Sequence, residues 1–143
     1  MNMKLMTAEV EEALEKNKLY SHDGEGGDTK VIVKYFGGSA ATWLITEGER
    51  RGNDWLLYGY VTLGLPDFDG NLIWEWGYVM LSELEQLRFP PFGLGTERDI
   101  TVKPGNYKVR DLTFMCSQYG SDSKKGSYDK KKEYKPLIDL RKR

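Results

Sequence analysis

A chain of 143 residues with 39% hydrophobic, 30% charged and 13% aromatic side chains suits one domain with a sizeable core. Its net charge of −1 hides two unlike parts: residues 1–105 carry 10 basic and 17 acidic side chains, and residues 106–143 carry 11 and 5. A single cysteine, Cys116, excludes an intramolecular disulfide, no apolar run approaches a membrane span, and nothing at the N-terminus resembles a signal peptide, so a cytoplasmic protein is expected.

Thr7 is placed to cap a helix over Ala8–Asn17, with Glu9, Glu11 and Glu12 at its positive end and Lys16 and Lys18 at its negative end. Val10 and Leu14 give it a narrow apolar stripe. Residues 21–29, rich in glycine and acids, read as a loop. Strands follow over Lys30–Phe36 and Thr42–Thr46, joined by Gly37-Gly38-Ser39. A charged turn, Glu49–Asn53, leads into a long strand, Trp55–Leu63. That strand is apolar on both sides, with Trp55, Leu57 and Val61 on one and Leu56, Tyr58 and Tyr60 on the other, so it belongs at the centre of a sheet. Pro66–Asn71 is a turn, and Leu72–Leu81 is the fourth strand. Ser82 with Glu85 three residues on has the capping-box pattern for a short helix, whose buried side is Leu84 and Leu87 and which ends at Pro90-Pro91. Short extended pieces are expected over Arg98–Lys103 and Tyr107–Cys116.

Four strands with short connections favour an antiparallel meander. The expected fold class is α+β: a meander of about four strands, an N-terminal helix and a second short helix packed on the sheet. The domain is expected to span residues 1–119, followed by a basic, mobile tail over 120–143.

Several segments together resemble a bacterial family catalogued as domain of unknown function 2958. They are Leu19-Tyr20-Ser21, Lys34-Tyr35-Phe36, Thr42-Trp43, Thr46-Glu47-Gly48, Leu57-Tyr58-Gly59-Tyr60-Val61, Gly77-Tyr78, Leu81-Ser82-Glu83-Leu84, Gly93-Leu94 and Glu97-Arg98-Asp99. The resemblance covers Leu5 to Pro104. The chain departs from the family pattern in a longer Pro66–Trp74 connection and in everything after Gly105. The resemblance implies a small protein of plasmids, conjugative elements and phages, and implies no catalytic or binding residues.

The residues themselves offer little chemistry. His22, the one histidine, reads as a surface residue in an acidic glycine loop, and Cys116 as a structural thiol. Asp67-x-Asp69-x-Asn71 imitates the start of a calcium loop, but Leu72 stands at the glycine position and Tyr78 at that of the bidentate glutamate, so it reads as an Asp-rich turn. Gly93-Leu94-Gly95 lacks the third glycine of a dinucleotide loop, and Glu133-x-Lys135 lacks the strand of a nuclease signature. Glu47, Glu83, Glu97 and Asp99, with Arg98, either converge on a carboxylate site or form an ion-pair network; the network is the plainer reading. Neither a cofactor nor a catalytic constellation is expected.

The aromatics Trp43, Trp55, Tyr58, Tyr60, Trp74, Trp76 and Tyr78 lie on the expected strands, mostly as core. A base-stacking platform needs interleaved basic residues, and between Asp54 and Leu87 there are none, against the acids Asp54, Asp67, Asp69, Glu75, Glu83 and Glu85. The candidate protein-binding surface is therefore Asp54, Asp67, Asp69, Glu75, Trp74 and Trp76. The candidate nucleic-acid-binding set is Lys124, Lys125, Lys130, Lys131 and Lys132, with a solubilising tail as the plain alternative. Pro136–Leu140 is a small apolar island that suits docking to the body or to a partner. The function expected is a non-enzymatic interaction module of a mobile element or phage, of the kind that inhibits a host defence system through an acidic aromatic surface, with a protein partner such as a nucleic-acid-processing host defence protein. The alternative is a nucleic-acid-binding accessory protein using the tail, and an unrecognised enzyme ranks last.

Overall fold

The computed structural model describes residues 4–38 and 40–116, except for the side chains of 114–116. The Cys116 side chain, the boundary at residue 119, the tail, its lysines and its apolar island lie outside the described residues.

Thr7 is extended, and its Oγ1 accepts a hydrogen bond from the Val10 N–H at 3.2 Å, which starts α1 (Ala8–Glu15). Val10 and Leu14 are its buried stripe. The loop that follows makes one 3-10 turn, Gly26–Asp28. Then come β1 (Val33–Gly37), β2 (Ala41–Arg51), β3 (Asp54–Thr62) and β4 (Glu75–Met80), all antiparallel in sequence. The charged turn expected at Glu49–Asn53 is mostly strand. β2 continues to Arg51, which pairs with Asp54, so Gly52-Asn53 alone makes the hairpin turn, with Gly52 at φ +61°. The charges tolerate the strand because Arg50 lies over the Trp55 ring at 4.9 Å and reaches Glu11 at 2.7 Å.

β4 runs directly into α2 (Leu81–Gln86), and a separate small hairpin follows, β5 (Arg88–Phe89) with β6 (Leu94–Gly95). The Ser82–Glu85 capping box is not formed. Leu81 is drawn into the helix because it is buried, and Glu83 Oε1 accepts from the Met80 N–H at 2.8 Å. The four-strand expectation misses β7 (Glu97–Arg98), which pairs with the edge of β1 to give the order β4-β3-β2-β1-β7. The stretch Tyr107–Cys116, expected as extended, holds α3 (Val109–Cys116). Val109, Leu112 and Thr113 share its buried side, and Asp111 Oδ2 accepts from the Lys108 N–H at 2.9 Å to cap it.

Both faces of the sheet are covered, which is why β3 is apolar on both sides. On one face, Trp43, Ile45, Trp55, Leu57 and Val61 pack with Val10 and Leu14 of α1 and Leu81 and Leu84 of α2, and Leu87 is partly buried against them. The expected helix-on-sheet core, Trp55, Leu57 and Val61 under Leu84 and Leu87, is this cluster, with Leu87 only partly buried. On the other face, Leu44, Tyr60 and Trp74 pack with Val31, Val102 and α3 residues Val109 and Leu112, and Leu56, Tyr58 and Tyr78 form a smaller group under Leu19. The protein is thus α+β, with helices on both faces of the sheet. At the middle of β3, Gly59 lies so close to β2 that a Cβ there would stand 1.9 Å from the Leu44 carbonyl oxygen. Among the described residues, no helix is long and apolar enough to cross a membrane.

Candidate functional site

Two places stand apart from ordinary packing. The first follows from a slip in register. Ile45 pairs with Gly59, but Glu47 pairs with Tyr58, so Thr46 is an extra residue in β2. Strand side chains alternate, and Glu47 without this bulge would point to the same face as Ile45. The bulge turns it to the other face, against Tyr58 and the 18–25 loop. There Glu47 is 2% exposed, and its Oε1 accepts from the Tyr20 N–H at 2.5 Å. Burial raises its pKa to about 7, reinforced by the negative charges of Asp23 and Glu25 and opposed by the Tyr20 N–H and His22. Tyr20 has φ 73°, the only non-glycine residue with positive φ among those described. His22 is not a loose surface residue: Nδ1 lies 2.8 Å from Glu25 Oε2 and Nε2 lies 2.7 Å from Asn17 Oδ1. Beside this cluster runs an open groove of about 580 Å³, whose lining includes Lys18, Leu19, Tyr20, Gly48, Arg50 and Trp55.

The second place is the β3–β4 connection. Leu63, Leu65, Phe68 and Ile73 are all exposed, Leu63 and Leu65 at 61% and Phe68 completely. The backbone beneath them is ordered by hydrogen bonds. Asp67 N–H donates to the Asn71 carbonyl at 2.7 Å, Gly70 N–H to the Asp67 carbonyl at 3.1 Å, and Ile73 N–H to the Leu65 carbonyl at 2.9 Å. Asp67 Oδ1 accepts from the N–H groups of Asp69 at 2.8 Å and Asn71 at 3.0 Å. The Asp-rich segment is therefore a turn stapled by its own carboxylate. It raises a phenylalanine at its apex, with the acids Asp67, Asp69 and Glu75 exposed along it.

The six residues expected to form a protein-binding surface divide. Asp67, Asp69 and Glu75 lie on or beside this projection, Glu75 pairing with Val61 near the end of β3. Asp54 does not join them. It begins β3, eight residues before Thr62, about 27 Å away at strand rise. Its carboxylate accepts from the Ser82 hydroxyl at 2.6 Å and from the backbone N–H groups of Ser82 and Trp55, and these bonds hold its pKa below the usual range despite partial burial. Asp54 ties α2 to the sheet. Trp74 is 6% exposed and stacks on Tyr60 at 5.2 Å between centroids, so it belongs to the core and not to a surface. Trp76 is half-buried, stacked on Tyr58 at 5.7 Å. What replaces the tryptophans outside is Leu63, Leu65, Phe68 and Ile73. The turn signal over Pro66–Asn71 was legible; the outward direction of its apolar residues was not.

The carboxylates weighed as a single site do not meet. Glu47 holds Tyr20, Glu83 caps α2, and Asp99 holds Thr101 at 2.6 Å and Lys34 at 3.4 Å. Arg98 Nε donates to the Lys4 carbonyl at 3.3 Å. Among the described residues, no group of three histidine, cysteine or acidic side chains could hold a metal ion.

No curated protein and no solved structure matches the chain. A family model does, over residues 5–121, which carries the match past Pro104, where the resemblance in the sequence was placed, and through all of α3. Leu19-Tyr20-Ser21, Thr46-Glu47-Gly48 and Leu57-Tyr58-Gly59-Tyr60-Val61, three of the segments through which the sequence resembles that family, are joined at Glu47 by its bond from the Tyr20 N–H and its pairing with Tyr58. The chain belongs to the family described as protein of unknown function DUF2958.

Proposed function

We propose that this protein is a non-catalytic interaction module, of the kind carried by mobile elements and phages, and that it engages a protein partner through the β3–β4 projection. The observation that carries the reading is Phe68, wholly exposed at the apex of a turn that is already hydrogen-bonded. A preordered turn loses little entropy on binding. Burying one phenylalanine contributes about 1.5–3 kcal/mol, and Leu63, Leu65 and Ile73 extend the contact. The flanking acids select a partner whose apolar pocket is rimmed by lysine or arginine. A nucleic-acid-handling protein of host defence offers such a rim, and the acids would compete there with phosphate. The same acids, with no basic residue between Asp54 and Leu87, disfavour nucleic acid as the ligand of this face.

The test uses the full chain as bait in host lysate, beside Phe68→Asp and, as a control on another exposed aromatic, Phe92→Asp. The expected result is one basic protein held by the wild type and Phe92→Asp and lost with Phe68→Asp. Equal capture by all three chains, or capture that nuclease treatment abolishes, overturns the reading.

A further inference from the structure

We propose that Glu47, Tyr20 and His22 form a proton-controlled latch that holds the 18–25 loop down on the Leu56–Tyr58–Tyr78 face of the sheet and releases it when the Glu47 proton leaves. This is independent of the β3–β4 projection and rests on different residues.

The geometry supplies each part. The β-bulge at Thr46 places a carboxyl where an apolar side chain would otherwise pack, and the loop closes over it, leaving Glu47 2% exposed. The loop is fastened by the Tyr20 N–H on Glu47 Oε1, and Tyr20 accepts a left-handed backbone, φ 73°, to reach it. Such a conformation costs a non-glycine residue free energy and persists only where its surroundings hold it. Leu19, next to it, is the loop's contact with the Leu56–Tyr58–Tyr78 group and also walls the groove. Opening the loop therefore uncovers that face and widens the groove together.

Burial makes the closed form prefer the proton, and the nearby acids add to it. From the loop it faces His22, Asp23 and Glu25, two of them acids, and His22 is already engaged by Glu25 and Asn17. From β3 its cross-strand partner is Tyr58, and Tyr78 lies in the same group from β4. Past the end of α1 the Asn17 carbonyl accepts from the Gly48 N–H at 3.2 Å, and Glu15, Lys18, Glu49 and Arg50 line the adjoining groove. Among the described residues, the charged groups that act on Glu47 are His22, Asp23 and Glu25, with no lysine or arginine among them. A closed latch thus buries an ionised carboxylate without a full counter-charge, and an open one gives it water.

The sign follows from linkage. The closed form titrates at about 7, and the open form titrates near the ordinary value of 4.5. Opening releases a proton across that interval, so it becomes easier as pH rises from 4.5 to 7 and no easier above.

The experiment is amide hydrogen exchange on the full chain between pH 5 and pH 8.5, with rates corrected for the intrinsic pH dependence of exchange. Protection of the Tyr20 amide is expected to fall by up to roughly tenfold per pH unit between pH 5 and 7 and then to level off. Glu47→Gln keeps an oxygen for the Tyr20 N–H and removes the titration, so its protection should be flat with pH. A flat wild-type profile, or equal slopes in wild type and variant, overturns the latch. If Glu47→Gln does not fold, a carbon-13 titration of wild-type glutamate carboxyls decides: a midpoint near 7 for Glu47 supports the latch, and one near 4.5 overturns it.

Discussion

Gly37→Ala is the sharpest probe of how the small β5–β6 hairpin is held to the sheet. Gly37 ends β1, and an added Cβ would lie 2.1 Å from Phe89 Cε2, 2.6 Å from Cζ and 2.8 Å from Cδ2. Carbon atoms rest at about 3.5–4.0 Å, so the ring must retreat by roughly 1.5 Å. The ring belongs to a half-buried side chain packed against the main core, so it can move but not without loss. Overpacking of this kind costs about 1–3 kcal/mol. Removing the ring with Phe89→Ala costs a similar amount, below the 3–5 kcal/mol of a fully buried phenylalanine. In the double variant the clash has no partner, so its cost should fall short of the sum of the single costs by at least about 1 kcal/mol. Chemical denaturation of the four full-length chains measures this. Additivity within about 0.5 kcal/mol would refute the argument, because it would mean that Phe89 does not occupy the space over Gly37. Gly59→Ala is the contrast: its obstacle is the Leu44 carbonyl at 1.9 Å, which is backbone, so no second substitution should rescue it.

Leu84→Ala should lower unfolding free energy by about 2–5 kcal/mol, because Leu84 is fully buried between α2 and the sheet; a loss under 1 kcal/mol in a denaturant titration would contradict that packing. Phe68→Ala should leave stability within about 0.5 kcal/mol of wild type while weakening partner capture, since its ring touches solvent and not the core. Glu47 is raised from 4.5 to about 7 in the folded chain, so its contribution is fully present below 4.5 and is lost as pH rises to 7. Wild-type stability from this group should therefore drop by roughly 3 kcal/mol at most over that interval, and a pH series of melts should show a smaller drop in Glu47→Gln.

Some local signals in the chain were enough to set local structure. Thr7 followed by an apolar pair four residues apart is enough to start and orient α1, because the cap and the stripe act within one or two turns. The doubly apolar run from Trp55 to Leu63 pointed to a central strand, found over Asp54–Thr62, and the antiparallel α+β class followed from short connections between strands. The family was legible too, in segments whose order and spacing matter more than any single residue. What the tertiary structure decided depends on partners far apart in sequence. Ser82 was read as a helix cap because the residues near it suit one; Asp54, 28 positions earlier, claims its hydroxyl instead. Tyr107–Cys116 shows apolar residues compatible with either period, and packing against Val31, Leu44 and Tyr60 selects the helix. Trp74 and Phe68, six positions apart, are both aromatic beside acids, yet stacking on Tyr60 draws one inside and the carboxylate-stapled turn drives the other out. The burial of Glu47 is the extreme case. Nothing within a few residues distinguishes it from an exposed strand glutamate, because its environment is set by a one-residue slip against β3 and by a loop 27 positions earlier that folds over it.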